Sequence, residues 1–190
     1  MNIEDIIKKF KESGELIKET GESKAIIIKS ISEAIINCYK NNNKLLIAGN
    51  GGSAADAQHI AGELVNTFYK KRRALSAIAL TTDSSVITAQ SNDYDYDYIF
   101  ERQVEAHGKP GDIFMAITTS GNSRNLIYAA KKAKEIGLTT IGLLGKNGGE
   151  IRNFCEYQII VPSNDTARIQ EAHHVIYHTI CEIVENAFLE

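Results

Sequence analysis

His59 and Glu63 stand four residues apart in a stretch with helical spacing. That interval puts both side chains on one helix face, within reach of a shared ion or substrate. An imidazole and a carboxylate so placed make half of a zinc site, since zinc accepts nitrogen and oxygen ligands. The same spacing also suits a plain ion pair on a helix surface. Near the C-terminus, Gln170, His174 and His178 recur on a second stripe. The apolar positions there, Ile169, Ala172, Ile176, Ile180, Ile183 and Ala187, form a different stripe. His178 therefore faces away from its own helix's core side, towards solvent, another element or another subunit. His173 flanks the apolar stripe and is expected to be packed. His107, before Gly108, is expected to end a helix, where the dipole favours it.

Two loops carry small residues and hydroxyls: Gly49-Asn50-Gly51-Gly52-Ser53 and Thr118-Thr119-Ser120-Gly121-Asn122-Ser123. Each follows an apolar run and opens a helical stretch. Helix N-termini offer free N–H groups and partial positive charge, which suit a phosphate. Ser and Thr hydroxyls add donors. One such loop alone reads equally as a tight turn; two together point to an anion. A nucleotide fits poorly. Gly49 to Ala54 matches the dinucleotide fingerprint, but position 69 is Tyr where an acid should hold a ribose, and no P-loop is present. A compact sugar phosphate fits better.

These residues need a scaffold with strand ends beside helix starts. Leu45–Ala48, Ala77–Leu80, Ile113–Ile117, Thr140–Leu144 and Ile159–Val161 are short apolar runs without polar alternation, as expected for strands covered on both faces. Helical stretches separate them: Ala54–Phe68, Ser84–Ala89 with Ile99–Ala106, and Asn122–Ile136, with a last helix near Asp165–Phe188. The alternation predicts an α/β fold, a five-stranded parallel sheet flanked by helices. Ligands in such sheets sit beyond the carboxyl ends of the strands, where both loops fall. Residues 2–42 read as helical, with Gly21 expected to break them into two helices. The division expected is one domain over 1–190, with a helical arm at 1–43 and an α/β core at 44–190.

Composition narrows the classes. The chain has 190 residues, 43% apolar and 24% charged, and 21 basic against 24 acidic residues leave a net charge of −3. That excludes a basic coat for nucleic acid. No apolar run approaches the ~20 residues of a membrane span. Acids near Met1 and three unpaired-looking cysteines, Cys38, Cys155 and Cys181, suggest buried reduced thiols in a cytoplasmic protein. Asp93-Tyr94-Asp95-Tyr96-Asp97-Tyr98 fails as a calcium loop, because Tyr98 and Val104 stand where Gly and Glu are required. A solvated loop with aromatic contacts is expected. Lys70-Lys71-Arg72-Arg73 reads as a solvated face that could draw in anionic substrates.

Taken in register, Gly49–Ser53, Asp56, Gln58-His59, Glu63, Asn92-Asp93, Thr119–Ser123, Gly148-Gly149 and Ala167-Arg168-Ile169-Gln170-Glu171 resemble the sugar-isomerase (SIS) domain, and within it the bacterial phosphoheptose isomerase family. The resemblance runs from about Lys44 to Glu190, with N-terminal helices as expected. It implies an aldose–ketose isomerase that converts D-sedoheptulose 7-phosphate to D-glycero-D-manno-heptose 7-phosphate, at the start of nucleotide-activated heptose synthesis for lipopolysaccharide core or capsule. It implies that Ser53, Thr119, Ser120 and Ser123 hold the phosphate. It implies that Asn50, Gly51, Gly52, Asn92, Asp93 and Gln170 contact the sugar, with Thr118 and Glu63 also lining the substrate. By the same resemblance His59, Glu63, Gln170 and His178 bind one zinc per chain, and Glu63 and His178 form the acid/base pair. The two roles fall on the same side chains. Gln170 and His178 are also separated by ~12 Å of helix rise. A homotetramer with active sites at subunit interfaces is implied as well.

The resemblance extends to SIS relatives that perform no isomerisation and bind the bacterial replication initiator protein. Those adaptors do not usually carry Glu and His at the positions of Glu63 and His178. Both are present here.

Overall fold

Each of the five apolar runs becomes a strand, because only a sheet buried on both faces can use them without exposing a side. The structure is a computed structural model that describes residues 1–189, so Glu190 lies outside the described residues. The strands are β1 (Leu45–Gly49), β2 (Ala77–Ala79), β3 (Ile113–Thr118), β4 (Thr139–Gly145) and β5 (Tyr157–Val161). All pairings are parallel, in the order β2-β1-β3-β4-β5. The helices are α1 (Ile3–Lys40), α2 (Gly52–Val65), α3 (Ser84–Asp93), α4 (Ile99–His107), α5 (Arg124–Glu135) and α6 (Thr166–Asn186). One core joins α1, α2 and α6 to one sheet face around Ile31, Ile47, Met115 and Ile176. The second joins α4 and α5 to the other face around Leu46, Phe100, Phe114 and Leu126.

The strand order reverses at β1 and β3, which lie side by side from Leu45↔Ile113 to Gly49↔Ile117. Both hydroxyl loops therefore leave the sheet at the same point, where an open α/β sheet has its ligand crevice. α6 crosses beside them, packed on α1 and α2.

Gly21 does not break the N-terminal run. α1 is continuous over 38 residues. A glycine inside a helix costs only about 1 kcal/mol, and Leu16, Ile17, Ile27 and Ile28, on both sides of Gly21, join the core that includes α6. Continuous packing outweighs one weak position. Two short 3₁₀ turns, Tyr96–Tyr98 and Ile151–Phe154, lie outside the expected elements.

Arg72 departs from the solvated basic face expected for its run. Its side chain is fully buried, with Nε 3.5 Å from Glu185 Oε1. Its guanidinium donates to the carbonyls of Glu63, Leu64, Asn66 and Arg73. Those acceptors include the orphan carbonyls at the end of α2, so the residue closes that helix. Lys70 and Lys71 are exposed as expected. The three cysteines are free, Cys38 and Cys181 buried and Cys155 half-buried. Burial pushes all three thiols up to about 12, which keeps them unreactive.

His173 is wholly buried, and its Nε2–H donates to the Leu144 carbonyl at 3.0 Å, which ties α6 to β4. Burial pushes its pKa from 6.5 down to about 4. Below pH 6.5 the unfolded chain protonates this ring, and the folded chain refuses the proton until about pH 4. The contribution is therefore complete above pH 6.5 and is lost as pH falls towards 4, by about 3 kcal/mol at most. Urea midpoints measured across this window should fall more steeply for the native chain than for His173→Leu. Equal slopes would contradict the assignment.

Candidate active site

The first loop turns at Gly51, whose φ of 58° suits glycine. A Cβ on Gly52 would run into Gln170 Nε2, so the missing side chain lets α6 approach the start of α2. In the second loop Gly121 has φ 68°, and a Cβ there would strike the Gly148 backbone. The β4 connection braces this loop further: Ile151 N–H donates to the Gly121 carbonyl at 3.0 Å, and Glu150 N–H to Asn122 Oδ1 at 2.9 Å. Thr118 Oγ1 accepts from Gly121 N–H, and Ser120 Oγ from Asn122 N–H, each at 3.2 Å.

Helix capping distinguishes the helices at these loops from α1, α3 and α6; α4 also lacks a side-chain cap, but it continues directly from the 3₁₀ turn Tyr96–Tyr98. Asn2, Asp83 and Asp165 cap α1, α3 and α6 through their side chains. α2 and α5, which start at the two loops, have no side-chain cap. Ser53, Ala54 and Leu126 N–H already donate within the turns, which among the described residues leaves the N–H groups of Gly52, Arg124 and Asn125 for a ligand. A cavity of about 170 Å³ opens there, lined by Asn50, Ser53, Thr118, Thr119, Ser120, Ser123 and Gln170. Its size and donors fit a phosphate group.

Gln170 also lines a second cavity of about 390 Å³, with Gly52, Asp56, Glu171 and His174. It thus stands between the anion pocket and a histidine cluster. In that cluster His59 Nε2 lies 3.0 Å from Glu63 Oε1 and 3.3 Å from His178 Nε2. The Tyr177 hydroxyl sits 3.2 Å from His59 Nδ1 and also bonds His174 Nδ1. Holding Nδ1 in this way turns His59 Nε2 towards Glu63 and His178. His59, His174 and His178 each offer a ligand atom, all within 4.8 Å of one another. Burial, with His174 and His59 close by, holds His178 below the usual imidazole value, and Glu63 opposes that shift.

Glu185 supports His178 from two turns along α6. It is almost fully buried and accepts from the N–H groups of Phe68, Tyr69 and Lys70 at 2.7–2.9 Å. Those bonds fix the segment after α2 and set the Phe68 ring 5.3 Å from the His178 ring.

The structure therefore brings His59, Glu63 and His178 together and sets Gln170 beside the anion pocket. Asn92 and Asp93 end α3, exposed and bonded to each other at 2.8 Å, and line neither cavity. Sequence reasoning gave no role to His174, Tyr177, Asn125 or Tyr96. For His174 a signal existed, because it precedes His178 by four residues on the same stripe. The Asp93–Tyr98 run is mostly exposed, with Tyr98 stacked on Tyr128 at 5.2 Å and Asp97 paired to Arg124 at 3.0 Å.

A parallel sheet with an anion pocket at its switch point and an imidazole–carboxylate cluster alongside defines a sugar-phosphate-handling α/β protein. The SIS domain family model matches residues 10–145. The phosphoheptose isomerase of Aquifex aeolicus is 51% identical over 188 residues, covering 99% of this chain and 98% of that protein. That of Clostridium acetobutylicum is 60% identical over 158 residues, covering 83% of this chain and 81% of its own. The solved phosphoheptose isomerase of Francisella tularensis superposes with a TM-score of 0.94 at 37% identity, covering 98% of this chain and all of that one. The chain belongs to the phosphoheptose isomerase family of SIS domains.

Proposed function

We propose that this chain is an aldose–ketose isomerase that interconverts sedoheptulose 7-phosphate and D-glycero-D-manno-heptose 7-phosphate. The observation that carries the reading is the adjacency of an uncapped, hydroxyl-lined anion pocket to the His59–Glu63–His178 cluster, with Gln170 between them. The phosphate would sit on Ser53, Thr119, Ser120 and Ser123. Asn50, Gly51, Gly52 and Gln170 would contact the sugar, with Thr118 also lining the pocket; Asn92 and Asp93, which line neither cavity of the single chain, would contact it only at a subunit interface. Glu63 takes the proton from C1 of the ketose, His178 protonates the C2 oxygen, and an enediol results. Loss of the O1 proton and return of a proton to C2 complete the aldose. Initiator-binding adaptors need no such pair.

A zinc ion fits the donor set. Adjacent ligands of a tetrahedral ion with bonds of ~2.0–2.1 Å stand ~3.3 Å apart, and the His59 Nε2 contacts lie at 3.0 and 3.3 Å. His59, Glu63 and His178 would hold it, with Gln170 added by the family resemblance alone. Bound there, it would stabilise negative charge on the substrate's oxygens. Protein purified without chelator or affinity-tag metal should contain about one zinc per chain by elemental analysis; none, with full turnover, would leave these residues as acid/base groups alone.

Residues 1–190 are read as one SIS domain, with an arm at 1–43 and a core at 44–190. Ile3, Ile6, Ile7 and Phe10 are exposed on α1, and an apolar groove of about 280 Å³ runs between α1 and α6 past Ile17, Ile28, Val175 and Ile183. Such faces need cover, and a symmetric homotetramer with sites at its interfaces supplies it. Light scattering should give four chains; a monomer with full turnover would contradict shared sites. Among the described residues no helix is long and apolar enough to cross a membrane. Three free thiols favour a reducing compartment, so we assign the cytoplasm.

Turnover in deuterium oxide tests the mechanism. A proton carried by Glu63 exchanges with solvent, so the aldose should carry deuterium at C2. Retention of the substrate's own hydrogen would point to a direct hydride shift instead.

A further inference from the structure

Asn50 is held in an amide pair that leaves it only one role. Its Nδ2 donates to Asn125 Oδ1, and Asn125 Nδ2 donates back to Asn50 Oδ1, both at 3.0 Å. The Tyr96 hydroxyl donates to the same Asn50 Oδ1 at 3.0 Å. A carbonyl oxygen has two lone pairs and an amide nitrogen two hydrogens. Both lone pairs of Asn50 Oδ1 are therefore taken. Among the described residues, one Nδ2 hydrogen is left without an acceptor. Asn125 is buried at 2% exposure and cannot swing away, whereas Tyr96 is half-exposed and reaches in from the turn between α3 and α4.

We propose that Tyr96, acting with Asn125, is a positioning residue that fixes Asn50 as a pure hydrogen-bond donor towards an oxygen of the sugar phosphate. The proposal rests on the reading of Asn50 as a substrate contact. Without the Tyr96 hydroxyl, one lone pair of Asn50 Oδ1 is freed. The amide can then tilt or take a water, and the donor direction is no longer fixed. Asp97, paired with Arg124 at the start of α5, ties the same turn to the second ligand loop. Tyr96 is thus presented from a segment anchored on both sides of the pocket.

A double-substitution cycle tests this. Tyr96→Phe removes one oxygen from a half-exposed ring and leaves the core intact. It should lower kcat/KM about three- to tenfold, the range for one neutral hydrogen bond. In an Asn50→Ala background the same change should cost less than about twofold. The division of the loss between kcat and KM should copy that of Asn50→Ala, because Tyr96 acts only through Asn50. Equal losses in both backgrounds, or a different division, would overturn the positioning role while leaving Asn50 as a contact. Full activity in Asn50→Ala would overturn the contact itself and the proposal with it.

Discussion

Replacing Glu63 with Gln should lower turnover of sedoheptulose 7-phosphate by roughly a hundredfold or more, with the fold intact. A general acid or base typically contributes ~10²–10⁴-fold. Gln keeps the shape of the side chain and can still accept from His59, which now bonds Glu63 Oε1 at 3.0 Å. It cannot take a proton from carbon. His178→Asn should fail in the same step, since the oxygens of the enediol then lose their proton donor. Glu63 and His178 serve one step and meet at one point, His59 Nε2. Their losses should therefore be far from additive, and the double variant little worse than either single one. Circular dichroism and light scattering should match the parent chain. Undiminished turnover in Glu63→Gln would keep the family and overturn this mechanism.

The second large effect concerns the anion pocket. Ser120→Ala should weaken binding of sedoheptulose 7-phosphate by roughly tenfold to a hundredfold, since a hydrogen bond to a charged group is worth ~1.5–3 kcal/mol. Among the described residues Ser120 Oγ accepts from Asn122 N–H at 3.2 Å and donates to none, so its own proton is available to a phosphate oxygen. Its removal leaves the turn in place, because Thr118 Oγ1 and the bonds to Glu150 and Ile151 still brace the loop. Calorimetry should locate the loss in the phosphorylated sugar and show none for sedoheptulose without its phosphate. Unchanged binding of the phosphate ester would remove Ser120 from the pocket.

Much of this site was legible before any coordinates, for a physical reason. Buried parallel strands are continuous apolar runs, and ligand loops follow them directly. The sequence around Leu45–Ser53 and Ile113–Ser123 thus marks both strand ends and both helix starts, as found. His59 and Glu63 were visible because four residues is the helical interval. What stayed hidden depends on contacts far apart in the chain. Arg72 reads as one of four surface cations, and its burial is tolerable because Glu185, on α6, and the carbonyls at the end of α2 take up its charge and donors. Gly21 reads as a break because the core that holds Ile17 and Ile28 on either side of it is completed more than a hundred residues away, in α6. Tyr96 reads as part of a solvated run, and its hydroxyl finds Asn50 only once the turn after α3 folds back over the first loop.

The most direct measurement of the central claim is NMR of sedoheptulose 7-phosphate incubated with the purified chain and equimolar zinc. The anomeric signal of D-glycero-D-manno-heptose 7-phosphate should grow to a fixed ratio. The same ratio should be reached from the aldose side, and both time courses should slow by roughly a hundredfold or more in Glu63→Gln. A ketose spectrum that stays unchanged at stoichiometric protein, while the sugar phosphate is demonstrably bound, would contradict the isomerase and leave a binding protein in its place.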